Sequence, residues 1–136
     1  MTDYVAPTLR LTHRGAMAML EAAVEAADAM GVPQCVVVVD ASAVVVGQVR
    51  MDGAKVLSMD SALAKARTAA SIGAPSAEVP EAVRPAIAAA TSGAVTGLAG
   101  GLPIRVDGVL LGGIGVGSGA PDEDVAVARA ALAALG

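Results

Sequence analysis

The feature that most constrains this chain is a run of alternating glycines near its C-terminus, Val109-Leu-Leu-Gly-Gly-Ile-Gly-Val-Gly-Ser-Gly-Ala-Pro-Asp-Glu-Asp124. Its first half predicts a β-strand, and the proline and three acids at its end predict the first turn of a helix. Glycines in a strand let the strand bend and let a helix or a neighbouring subunit pack close. The stretch therefore predicts close packing around one strand.

The same stretch contains Gly115-Val-Gly-Ser-Gly-Ala120, which fits a relaxed form of the dinucleotide-binding fingerprint. That fingerprint requires a second strand after the helix and an acidic residue about 20 positions further on. Only sixteen residues follow Ala120, and they form one predicted helix. The acids Asp122, Glu123 and Asp124 would also repel a phosphate at the helix N-terminus. The sequence therefore argues against a nucleotide site.

The composition favours close backbone contacts and excludes several classes of function. Apolar residues make up 55% of the chain, yet it has no Phe, no Trp and one Tyr. Small side chains fill space only where backbones approach closely, so we expect tight helix-on-sheet packing. The net charge of −4 argues against nucleic acid as a partner. The single cysteine, Cys35, excludes a disulfide framework and a cysteine-based zinc site.

Neither end of the chain nor its middle predicts a membrane segment. Residues 85–104 are twenty residues without a charge, which meets the length of a spanning helix, but their glycines, prolines and hydroxyls argue against one. The N-terminus has no basic and apolar signal regions. We therefore expect a cytoplasmic protein with no membrane partner. The length suits a single domain over residues 1–136, with residues 1–10 as a flexible N-terminal segment.

The first half predicts a helix, a hairpin and a second helix. Thr12 is a typical N-cap for a helix that ends at Met30, before Gly31. The valine-rich runs 34–40 and 44–50 are too close in sequence for a parallel crossover, so they predict an antiparallel hairpin. Its first strand is nearly all valine, which predicts burial on both faces.

The second helix is predicted from Ala54 to Ser71, and it has two distinct stripes. The apolar stripe predicts its core face and comprises Met59, Leu63, Ala66 and Ala70. A separate polar stripe is either a solvated face or the wall of a ligand cleft; it comprises Ser58, Ser61, Lys65 and Thr68.

The second half predicts an irregular segment, another hairpin and a last helix. Prolines break residues 76–101 into short helical turns and a Gly/Ala-rich loop. Asp107-Gly108 is a strong two-residue turn signal between strands 102–106 and 109–116. Two hairpins with helices before, between and after them predict one antiparallel sheet covered by helices, an α+β sandwich.

Seven motifs carry a resemblance to a known family. In chain order they are Leu11-Thr12, Gly31-Val-Pro33, Val38-Val-Asp40, Arg50-Met-Asp-Gly-Ala54, Ala62-Leu-Ala-Lys-Ala-Arg-Thr-Ala69, Gly100-Gly-Leu-Pro-Ile104, and Gly113-Ile-Gly-Val-Gly117 before Asp122-Glu-Asp124. On these motifs the sequence resembles the GlcG/HbpS-type haem-binding family, which includes the C-terminal domain of PduO-type proteins. The resemblance covers residues 11–136.

The resemblance implies a fold, an assembly and a ligand. It implies a profilin-like α/β/α sandwich with an antiparallel sheet, assembly into a homo-oligomer, and haem or another tetrapyrrole as the ligand of some members. It also implies that a histidine of the first helix holds haem iron in some relatives, which makes His13, the single histidine, a candidate axial ligand. The chain departs from the family pattern at Ile72 and in residues 79–98.

Candidate site residues lie along the first hairpin and the second helix. Arg50 is of the right type to hold a carboxylate or a haem propionate through a bidentate contact. Lys65, in a cleft with Ser61 and Thr68, would be an anion contact or an acid/base group. The remaining candidates are Asp52 and Asp40 as acid/base groups and Arg67 as a ligand contact.

These residues leave three functional hypotheses open. In the first, the protein binds haem or a related planar ligand in an apolar pocket. In the second, the same pocket belongs to a metal-free isomerase, lyase or hydrolase acting on a small organic acid or lactone, with Lys65, Arg50 and Asp52 converging on the substrate. In the third, the protein is a structural oligomer without a ligand.

Overall fold

A computed structural model describes residues 3–136 of the chain. Its regular elements are, in order, α1 (His13–Met30), β1 (Cys35–Asp40), β2 (Val45–Arg50), α2 (Ser58–Ile72), two single 3₁₀ turns (Ser76–Glu78 and Glu81–Val83), α3 (Arg84–Ala90), β3 (Gly101–Val106), β4 (Val109–Gly117) and α4 (Pro121–Ala133). No helix within this described part combines the length and hydropathy that a bilayer crossing requires.

The four strands form one sheet in the order β2-β1-β4-β3, and every neighbouring pair is antiparallel. Helices α1 and α4 pack together on one face, and α2 covers the other. The predicted antiparallel α/β/α sandwich is therefore confirmed. The glycine-rich strand β4 lies inside the sheet, between β1 and β3.

Strand β1 is buried on both faces, as its run of valines predicts. Val36 and Val38 face α1 and α4, whereas Cys35, Val37 and Val39 face α2. All five side chains are fully buried. This strand is the centre of the core because both helical layers meet it.

The alternating glycines of β4 form a groove that receives α2. A Cβ atom on Gly113, Gly115 or Gly117 would meet backbone atoms of α2, and its nearest neighbours are the carbonyl oxygens of Ala66, Ala62 and Ser58. Steps of four helical residues rise about 6 Å, close to the roughly 6.6 Å between every second strand residue. The small-residue ridge of α2 therefore stays in register with the glycine groove.

The buried face of α2 differs from the predicted apolar stripe. Ala62, Ala66 and Ala70 lie against the sheet, while Met59 and Leu63 are only partly buried at its margin. The groove over the glycines is too shallow for large side chains, so alanines occupy it. The predicted stripe is therefore right for Ala66 and Ala70, whereas Ala62 occupies the groove where Met59 and Leu63 were expected.

Helix α2 also begins later than predicted, at Ser58 instead of Ala54. The backbone N–H of Lys55 donates to Ser118 Oγ at 2.9 Å, which ties this segment to the end of β4. Residues 51–57 form turns instead of a helix.

The remaining local predictions are confirmed at both ends of α1. Thr12 Oγ1 accepts a hydrogen bond from Gly15 N, and Gly31 ends the helix with φ +69°. Residues 1–2 of the predicted N-terminal segment lie outside the described residues. Residues 3–10 are exposed and contain no helix or strand.

Candidate functional site

A buried ion pair joins α2 to α4. Lys65 Nζ lies 3.1 Å from Asp124 Oδ2 and also donates to the carbonyl oxygen of Val116 at 2.8 Å. Both side chains are more than nine-tenths buried. Burying two charges is costly unless they are paired and hydrogen-bonded, and this pair meets both conditions.

The other oxygen of Asp124 organises the turn between β4 and α4. Oδ1 accepts from Gly119 N at 2.9 Å. Gln34, fully buried, donates its side-chain amide to the same oxygen at 2.8 Å when its Nε2 is assigned to that side. The neighbouring Glu123 accepts from Ala120 N at 2.8 Å. Two of the three first-turn acids therefore satisfy backbone donors that would otherwise be left without partners.

Burial shifts the pKa of Asp124, a member of this pair, and of the nearby Cys35. Desolvation raises the pKa of Asp124, and the charge and hydrogen bond of Lys65 oppose the shift. Desolvation also raises the pKa of the Cys35 thiol, which the charge of Arg50 opposes. A buried thiol with a raised pKa is a weak nucleophile. Cys35 is therefore a core residue rather than a reactive one.

A polar cavity of about 260 Å³ lies beside the ion pair. The first turns of α2 and α4, the end of β4 and the loop before β3 enclose it. Its lining consists of Lys55, Ser58, Ser61, Lys65, Leu98, Ala99, Ser118, Gly119, Pro121 and Asp124. Two ammonium groups and three hydroxyls at one cavity are suited to a polar, anionic ligand.

An apolar cleft of about 640 Å³ lies at the opposite end of α2. The last residues of α2, the two 3₁₀ turns and α3 form its walls. Its lining consists of Ser71, Ile72, Ala74, Glu78, Val79, Pro80, Val83, Ile87, Thr91 and Val95. Its volume and apolar walls are typical of a small-molecule site.

A cationic cavity of about 310 Å³ adjoins this cleft, and the two share Ser71, Thr91 and Val95. Arg67 lines the adjoining cavity, and its side chain is exposed. Thr68, the next residue of α2, is buried and holds the loop that forms one wall of this adjoining cavity. Its hydroxyl accepts from Thr96 N at 3.0 Å and donates to Ala64 O at 2.7 Å.

The polar stripe of α2 is a cavity wall rather than a solvated face. Ser58, Ser61 and Lys65 line the polar cavity, and Thr68 binds the loop above α2. The alternative of a solvated face is wrong because Lys65 and Thr68 are buried.

Three other candidates lie apart from both cavities. Arg50 and Asp52 are exposed, and neither lines the polar cavity or the apolar cleft. Asp40 caps the turn after β1, where its Oδ1 accepts from Ser42 N at 2.8 Å. The structure therefore does not bring Arg50 and Asp52 to Lys65, and the hypothesis of a metal-free enzyme is not favoured.

His13 lies in the first turn of α1 and is exposed. Because α1 and α2 cover opposite faces of the sheet, His13 does not line the apolar cleft of its own chain. Within residues 3–136, no cluster of three His, Cys, Asp or Glu side chains could hold a metal ion.

Sequence reasoning missed three residues of the polar site, namely Asp124, Gln34 and Lys55. Asp124 was indistinguishable from the two other acids of its helical turn. One signal was available: the chain has only two lysines, and Lys65 lies among alanines in a helix that packs on glycines. A lysine in such a helix needs a partner carboxylate if it faces inward.

Comparison with known proteins finds one matching family model and several similar structures. The family model described as "Haem degrading protein HbpS-like" matches residues 11–133. A double mutant of HbpS from Streptomyces reticuli is 36% identical with a TM-score of 0.87, covering 100% of this chain and 94% of that one. A PduOC:haem complex is 30% identical with a TM-score of 0.85, covering 93% and 95%.

Among curated proteins, the corrinoid adenosyltransferase PduO of Salmonella typhimurium is 33% identical over 122 residues. The match covers 86% of this chain and 36% of that protein. The chain thus spans little more than a third of the length of this relative.

Proposed function

The chain belongs to the HbpS-like family, and from this premise we propose that it binds haem or a related tetrapyrrole in the apolar cleft at the end of α2. The observation that carries the proposal is the cleft itself, about 640 Å³ in volume and walled by Ile72, Val79, Val83 and Ile87. The haem complex of PduOC, a structural neighbour, supports the choice of ligand.

The residues of the cleft fit the porphyrin ring and its propionates. Apolar walls suit the faces of a large planar ring, whose burial is favourable in proportion to the apolar area removed from water. Arg67 lines the cationic cavity that adjoins the cleft. Its guanidinium can pair there with a haem propionate in a bidentate contact.

The same residues do not fit the iron. The lining of the cleft and of the adjoining cavity contains no His, Cys, Met or Tyr, the usual axial ligands. Bound haem would bring a redox-active iron, but the residues that line the cleft and the adjoining cavity would hold only the ring and its propionates. His13 can be an axial ligand only if another copy of the chain presents it.

We expect haemin and metal-free protoporphyrin IX to bind with comparable affinity, because the cleft contacts the ring rather than the iron. Titration followed by Soret absorbance and by porphyrin fluorescence measures the two affinities. Val83→Glu places a carboxylate in the cleft and is expected to weaken both by about tenfold or more, the equivalent of 1.4 kcal/mol. Val5→Glu, the same change at an exposed valine in the segment before α1 and outside the cleft, is the matched control.

Two further substitutions test the contact to the propionates and the contact to the iron separately. Arg67→Ala should weaken protoporphyrin binding but not binding of its dimethyl ester, whereas Arg129→Ala, at an exposed position of α4, should change neither. His13→Ala should alter the haemin spectrum alone if a second copy supplies the histidine. Absence of any Soret shift at micromolar haemin would contradict the proposed function.

We also propose that the protein is a homo-oligomer. Several large apolar side chains are exposed, among them Met17 (63%), Val44 (59%), Val56 (61%) and Leu57 (77%). Contiguous exposed apolar patches mark interaction surfaces, and Val56 and Leu57 are neighbours in one exposed turn before α2. Sedimentation equilibrium should give a mass that is a multiple of 13.1 kDa, and a monomer at micromolar concentration would contradict this proposal.

A further inference from the structure

We propose that the polar cavity beside the Lys65–Asp124 pair is a second ligand site, which binds a small carboxylate anion. It shares no lining residue with the apolar cleft. Ser61 of one site and Ser71 of the other are ten residues apart on α2, or about 15 Å. The two sites are therefore independent features of the same helix.

Hydrogen-bond donors at the cavity are available to a ligand. An ammonium group has three N–H donors, and within residues 3–136 Lys65 Nζ has two partners, Val116 O and Asp124 Oδ2. Ser118 Oγ accepts from Lys55 N, so its own hydroxyl hydrogen remains for donation. Lys55 is exposed, and its Nζ lies 3.4 Å from Ser118 O. These groups converge from α2, the preceding loop and the end of β4.

One residue at the cavity, Ser118, has a strained backbone conformation. Ser118 has φ +91°, a left-handed conformation that non-glycine residues rarely adopt. Such residues store backbone strain and are concentrated at ligand sites. The strain places the Ser118 hydroxyl where it contacts Lys55 and borders the cavity.

Charge and size select the class of anion. Two lysines and Asp124 leave one net positive charge at the cavity, which suits a monoanion. The adjacent acids Asp122 and Glu123 disfavour a doubly charged phosphate. A volume of about 260 Å³ lies below the ~300–1,000 Å³ of drug-sized sites, so the ligand has few heavy atoms. A short-chain monocarboxylate meets all of these conditions.

Acetate and propionate are the probes. Each is titrated into the protein with chloride adjusted to keep the ionic strength constant, and binding is followed by two-dimensional amide NMR. We expect saturable shifts at Ser61, Ser118 and Gly119. Lys55→Gln should weaken binding by about tenfold, because it removes one of the two positive charges at the cavity and a charge-assisted hydrogen bond. Arg129→Gln removes the same charge from an exposed position on α4 and should leave the affinity unchanged.

Three results would overturn the proposal. The first is no saturable shift at these residues up to concentrations of tens of millimolar. The second is equal weakening by Lys55→Gln and Arg129→Gln, which would indicate general screening. The third is binding of inorganic phosphate in preference to the monocarboxylates. Lys55→Gln should leave the porphyrin affinity unchanged, and Val83→Glu should leave the carboxylate affinity unchanged. Each of the two proposed sites can therefore be contradicted while the other stands.

Discussion

Replacing Gly115 with alanine is expected to destabilise the fold by about 3 kcal/mol, the upper end of the usual cost of overpacking. A Cβ atom there would overlap the carbonyl oxygen of Ala62 and lie 2.6 Å from Ala66 N. Both are backbone atoms of α2, so no side-chain rotation relieves the clash. Urea unfolding followed by circular dichroism would show the loss as a lower midpoint with an unchanged slope.

Gly15→Ala is the matched control for this substitution. Gly15 lies inside α1, and the nearest atom to an added Cβ is the flexible end of Leu11, at 3.1 Å. Because alanine is favoured over glycine in helices by about 0.8–1 kcal/mol, this variant should be as stable as the original or more so. Equal midpoints for the Gly115 variant and the original protein would contradict the close approach of α2 to β4.

The architecture could be predicted because its determinants are local. Asp107-Gly108 and the short link between the first two strands fix two hairpins, and the alternating glycines mark a strand under close packing. The buried face of α2 could be read only in part from hydrophobicity, because the glycine groove accepts alanines in preference to larger side chains. Ala62 lies in the groove and Leu63 lies beside it.

The site was only half predictable for a different reason. Ser61, Lys65 and Thr68 share one face of a helix, so their spacing marked a polar stripe but left open whether it faced solvent or a cleft. In the structure Ser61 and Lys65 line the polar cavity, and Thr68 is buried beside it. Asp124 is 59 residues from Lys65, and its two neighbours are also acids, so no local pattern selects it. Arg50 and Asp52 belong to one of the motifs on which the resemblance rests, yet Arg50 is the exposed last residue of β2 and Asp52 lies in the exposed turn that follows. A family motif does not by itself place a side chain at a cavity.

Lys65→Met is expected to cost about 3–5 kcal/mol, because it leaves the Asp124 carboxylate buried without its counter-charge. The substitution also removes the hydrogen bond to Val116 O. Methionine is similar to lysine in length and shape, so the loss reports charge rather than volume. Lys55→Met, the same change at the chain's other lysine, should alter the free energy of unfolding by no more than about 0.5 kcal/mol because Lys55 is exposed.

A second substitution tests whether the two charges depend on each other. Asp124→Asn, added to Lys65→Met, removes the stranded charge while its side-chain oxygen can still accept from Gly119 N. The double variant should therefore be more stable than the sum of the two single effects predicts, by about 1–3 kcal/mol of coupling. Additive effects of the two substitutions in urea unfolding would contradict the pairing. A coupled result would show that Lys65 and Asp124 interact directly in the folded protein.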